Sequence, residues 1–130
     1  MRLGLAIAGA AILTFAAGAA FAAEQQYDGR LTGAAGAGHV HLDFDTDSGE
    51  LDYTATFQGV SAPVSAGFHG PSKSGDAPVL ISAPVTASPI SGVVKLTDVQ
   101  ARQLNVGLWS FQIDTAAQPA ALRGQISRSQ

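Results

Sequence analysis

Three histidines hold most of the ligand chemistry in a chain of 130 residues that has no cysteine and a single methionine, Met1. His39 and His41 stand two apart, with Asp43 next in the row, and Val40, Leu42 and Phe44 alternate with them. Residues two apart on a strand project from one face, so the two imidazoles and the carboxylate would sit side by side. Nitrogen and oxygen donors of this kind suit Cu(II), Zn(II) or Ni(II). The same alternation has a plainer reading, in which polar residues take the solvent face because the apolar ones fill the core. Two same-face histidines also leave a metal site incomplete without a third ligand. His69 could supply that ligand, or its ring could hydrogen-bond the loop at residues 70–78.

Other chemistries find less support. With no Cys and no Met beyond Met1, the soft ligands of a Cu(I) carrier are missing. No Gly-x-Ser-x-Gly turn is present, and three histidines give no positive sign of a Ser-His-Asp constellation. Asp43, Asp45, Asp47 and Glu50 surround Gly49, but a hairpin turn explains Asp, Ser and Gly there, and the EF-hand pattern is not met. The formal charge is −3, and the only charge in residues 1–22 is Arg2, so the remainder carries −4. A mildly acidic domain with no Lys/Arg cluster is a poor nucleic-acid or anionic-membrane binder.

The elements that must position these groups are short strands. Residues 3–15 form an apolar run behind Arg2, and Ala20-Phe21-Ala22 is a small-x-small cleavage pattern, so residues 1–22 read as a signal peptide with Ala23 as the mature N-terminus. The alternative is a membrane anchor, which a stretch of this length could just provide; no Cys follows it to carry a lipoprotein lipid. Residues 23–130 then form one domain. Strands are expected at 27–32, 39–45, 51–58, 64–68, 79–81, 90–95, 108–114 and 122–127, the second and third as a hairpin. Thr97-Asp98-Val99-Gln100 is a capping box that opens a short helix to about Asn105, ended by Gly107. Short strands with one short helix describe an antiparallel sandwich.

Four blocks, in order, resemble the CHRD domain, the module named after chordin: residues 44–53 (Phe-Asp-Thr-Asp-Ser-Gly-Glu-Leu-Asp-Tyr), Phe68-His69-Gly70-Pro71, residues 96–100 (Leu-Thr-Asp-Val-Gln), and 115–126 with Arg123-Gly124-Gln125. The resemblance implies an all-β, antiparallel Greek-key β-sandwich of immunoglobulin-like or related type, outside the cytoplasm, and no agreed enzymatic activity. The family's strand commonly reads His-Ile-His-Gly-Pro; here Gly67 holds the first histidine position. Asp114-Thr115 stands where the family often has His-Thr. The resemblance also places Asp114 near His69, where a carboxylate would orient the ring, and Arg123 would satisfy loop carbonyls or pair with Asp114. Gly67-Phe68-His69 is similar to a strand of Cu,Zn superoxide dismutases, but Gly70-Pro71 follows in place of the second histidine, and the ligand count fails.

The resulting expectation is an exported, periplasmic or extracellular, non-enzymatic binding or structural module. Its partner would be a protein or a cell-envelope component, with no nucleic acid and no membrane once the leader is removed. No cofactor is required. The alternative is a periplasmic Cu(II) or Zn(II) binder using His39, His41, Asp43 and His69, and an enzyme with an unrecognised site stands third.

Overall fold

Alternation of apolar and polar residues becomes strands wherever one face can be buried. The computed structural model describes residues 24–34, 36–73 and 77–129, so the leader read at residues 1–22 lies outside them. The elements are β1 (Glu24–Thr32), β2 (Ala37–Asp45), β3 (Glu50–Gln58), β4 (Pro63–His69), β5 (Val79–Ser82), β6 (Ile90–Lys95), α1 (Asp98–Asn105), β7 (Ser110–Thr115), β8 (Leu122–Gln125) and β9 (Ser127–Arg128). Two differences from the expected bounds have local causes. β1 begins three residues earlier because Glu24 to Gln26 pair with Asp43 to Asp45 across the hairpin. The expected last strand divides: β8 stays with β7, while Ile126 turns its amide to the Trp109 carbonyl and β9 continues on β1.

Every pairing is antiparallel, in the order β5-β4-β7-β8-β1-β2-β3-β6, with β9 added to β1. Tyr53 on β3 and Phe68 on β4 are each one strand from opposite ends of this order, yet their ring centroids are 4.9 Å apart with the planes at 90°. The sheet therefore curls until its ends face one another, as a half-barrel. Among the described residues the architecture is all-β, one continuous sheet with one short helix. Its two halves stay joined where β8 meets β1, at Thr32 opposite Arg123. Gly124 permits that approach, since a Cβ there would lie 2.0 Å from the Arg30 carbonyl oxygen.

Tyr27, Leu31, Val40, Leu42, Leu51 and Tyr53 face inward from one half, and Phe68, Phe111, Ile113 and Leu122 from the other, with Trp109 fully buried among them. Phe68 sits at the centre, 5.0 Å from Phe111 and 5.2 Å from Trp109. Burying such a side chain is worth roughly 1.5–3 kcal/mol. No disulfide assists, so this core carries the fold.

The capping box forms as expected: the Gln100 amide donates to Thr97 Oγ1 at 3.1 Å, and the Thr97 amide donates to Gln100 Oε1 at 2.9 Å. Leu104 is the helix's buried anchor, and the Gly107 amide closes the end on the Leu104 carbonyl. Among the described residues, no helix is long and apolar enough to cross a membrane.

Candidate functional site

The outer faces of the two halves hold the candidate residues. On the first, the β1–β2 register sets Asp28 opposite His41 and Arg30 opposite His39. Asp28 Oδ1 accepts from both imidazoles, 3.1 Å from His39 Nε2 and 2.8 Å from His41 Nδ1. Its other oxygen meets the Ser129 hydroxyl, and the Ser129 amide bonds to the Gln26 carbonyl, so the C-terminal segment is fastened at the same carboxylate. On its far side His41 brings Nε2 to 3.3 Å from Asp43 Oδ1, a charge contact off the line of a hydrogen bond.

The charges follow from these partners. Asp28 is lowered to about 2 by the Ser129 and His41 hydrogen bonds, with a smaller contribution from His39. His41 is raised, first by its hydrogen bond to Asp28 and, against partial burial, by the charge of Asp43. Both of its ring nitrogens face carboxylates, an arrangement that only the imidazolium satisfies with two donors.

His39, His41 and Asp43 are thus brought together, and His69 is not part of the group. Among the described residues, no three or more His, Asp or Glu side chains are arranged as a coordination shell. Asp28 is the member that sequence reasoning missed. Its signal was present in the outward phase of Asp28 and Arg30 against Tyr27 and Leu31, but the facing residue depends on the register across the Gly33–Gly36 connection.

Beside this row, Glu24, Asp43, Asp45, Glu50 and Asp52 line a hollow of about 240 Å³. Asp45 is used by the hairpin: its Oδ1 accepts from the Asp47 and Ser48 amides at 2.9 and 3.2 Å, and these two bonds lower its pKa.

The second face carries His69, Asp114, Arg123 and Gln125, and it uses them differently. His69 Nδ1 lies 3.0 Å from the Ala77 carbonyl, so the ring donates to the end of the loop after β4. Asp114 is held by Ser65 Oγ at 2.6 Å, Gln112 Nε2 at 2.7 Å and the Ala120 amide at 2.6 Å. Burial alone would raise its pKa, but these bonds, with the charge of His69, hold it below the usual carboxylate range. The charge of His69 thus reaches Asp114 without an ion pair between them. Gln125 Nε2 donates to the Ser72 and Gly107 carbonyls at 3.0 and 2.9 Å, tying two loops to β8, and Arg123 reaches Gln125 Oε1 at 3.4 Å. Gly67 has a steric reason to stand where a histidine is common: a Cβ there would lie 2.4 Å from the Ile81 carbonyl oxygen on β5.

Fold and site together define an all-β domain with a curled antiparallel sheet and two polar outer faces, one ionic and one bonded to backbone. A family model for the CHRD domain matches residues 15–126, and the chain belongs to that family. No curated protein and no solved structure matches it.

Proposed function

We propose that this protein is an exported CHRD-domain module that binds a protein or polymer of the cell envelope and catalyses no reaction. The observation that carries the reading is that the groups with chemical potential have structural partners: His69 the Ala77 carbonyl, Asp114 three donors, and His39 and His41 the shared Asp28. Engagement through a sheet edge suits the two terminal strands, where Val79 on β5 and Val93 on β6 are 56% and 63% exposed. A Greek-key sandwich remains our description of the topology, supported by connections β3–β4, β5–β6 and β6–β7 that each pass between the halves.

The test presents the untagged full chain to separated envelope polymers and envelope proteins and measures saturable binding. Saturable binding to one fraction supports the reading; turnover on a substrate panel, abolished by His69→Ala, overturns it. Export is read from the intact mass in producing cells, where a chain starting at Ala23 outside the cytoplasm is expected.

A second reading, metal binding at His39 and His41, is favoured by one observation: a nitrogen of each ring is directed at the same oxygen. A Cu(II) and Zn(II) titration, repeated with both histidines replaced by alanine, decides it.

A further inference from the structure

We propose that β6 is the edge at which this domain takes up a partner, and that the partner presents an extended protein segment alternating apolar residues with Lys or Arg. This rests on the binding-module reading above and names its surface and the chemistry of its ligand. A strand that ends a sheet leaves the amide and carbonyl of every second residue unpaired, and folded proteins blunt such an edge with brevity, proline or a bulge. β5 is blunted in all three ways: it is four residues long, Pro78 and Pro84 stand just outside it, and its register with β4 shifts between Phe68 and His69. β6 is not. Its six residues pair with β3 without interruption from Ile90 to Lys95, and among the described residues no strand lies on their other side.

The two faces of β6 define what pairs with it. Val94 packs against the core but is only partly buried, so an apolar side chain on an added strand would cover it further. On the outer face Val93 is 63% exposed and stands opposite Asp52, which stands opposite Asp43 on β2. Like charges directly opposite one another cost a sheet stability, so the fold gains nothing from that pair. The two carboxylates share the hollow of about 240 Å³ with Glu24, Asp45, Glu50 and Val93. Lys95 is the one cation on β6, and it stands opposite Glu50. An added strand lies two strand spacings, about 10 Å, from β3. A Lys or Arg on its outer face would lay its alkyl stem over Val93 and carry its charge toward Asp52. A second copy of this chain fits less well, because it would set another acidic face beside the first.

The experiment titrates the untagged full-length protein with three short synthetic peptides: alternating Val-Lys, alternating Val-Glu, and the Val-Lys peptide with proline at its central valines. Calorimetry measures affinity and amide exchange locates the contact. One-to-one binding of the Val-Lys peptide is expected, with exchange slowed in β6 and unchanged in β5, and binding of the other two weaker by roughly 10-fold or more. Asp52→Lys, at an exposed position, is expected to weaken the Val-Lys peptide roughly 10-fold and to strengthen the Val-Glu peptide, with circular dichroism checking that the fold is retained. Equal binding of the proline peptide, or slowed exchange away from β6, overturns the edge; equal binding of the Val-Glu peptide overturns the cationic partner. A dimer in sedimentation of the protein alone, with β6 protected, gives the edge to a second copy and overturns the partner as well. If an envelope fraction binds saturably and no peptide does, the assignment of β6 falls and the binding-module reading stands. If the Val-Lys peptide binds and no envelope fraction does, that reading fails and the edge stands.

Discussion

The two outer faces pair the same residue types and put them to different uses. On β1 and β2 the carboxylate of Asp28 is met by side chains, His39, His41 and Ser129, that are themselves reached by solvent. On β4, β7 and β8 the partners include backbone: Ala120 for Asp114, Ala77 for His69, and Ser72 and Gly107 for Gln125. A side-chain pair at the surface exchanges its partner for water at little cost, whereas a part-buried backbone group deprived of its bond loses more. The first face is therefore where the molecule can respond, and the second is where it is held.

The largest effect should come from forcing the second face toward the commoner family sequence. Gly67→His is expected to destabilise by about 2–3 kcal/mol in urea unfolding, because its Cβ would meet the Ile81 carbonyl oxygen at 2.4 Å and push β5 from β4. An unchanged midpoint would mean that β5 is held loosely and that this face is not the rigid one.

Next is Asp114→Ala, which removes the acceptor for Ser65, Gln112 and the Ala120 amide. About 1–3 kcal/mol should be lost, with faster amide exchange in the turn between β7 and β8. Exchange unaltered at Ala120 would remove the backbone argument.

The first face should answer more weakly to the same treatment. Replacing His39 and His41 together by alanine is expected to cost less than about 1 kcal/mol near pH 6, since both pairs are well exposed. A loss as large as that of Asp114→Ala would erase the contrast between the faces.

The smallest effect is in the pH profile, and its sign is set by the direction of each shift. Asp28 falls from 3.8 to about 2 on folding, so its contribution is complete above about 4 and disappears as pH drops toward 2. His41 is raised above 6.5, so its contribution is complete below that value and disappears as pH rises through the folded value. Asp28→Asn should shrink the acid limb, leaving the part due to Asp45 and Asp114, and flatten the rise-in-pH limb of His41. Profiles that superpose on the wild type would show that the shared carboxylate has no energetic role.

Much of the local structure follows from residues read singly or in short runs. The alternation from His39 to Asp45 and from Leu51 to Gln58 specified the β2–β3 hairpin, because a period of two has one solution when one face is buried. Thr97 and Gln100 marked the helix start, since the orphan amides of a first turn need those acceptors. His69 bonding its own loop was among the readings its neighbourhood allowed. The partners of Gln125 were out of reach, because Ser72 and Gly107 lie 53 and 18 residues away along the chain.

Side-chain period, turn chemistry and short motifs were enough to mark the hairpin, the helix start and the family. That Asp28 stands between His39 and His41, that Ser129 returns to the same carboxylate across 101 residues, and that the sheet curls until Tyr53 meets Phe68 emerge with the fold alone. Those contacts are made by strand register and sheet closure, which fix distances between segments that no local pattern relates.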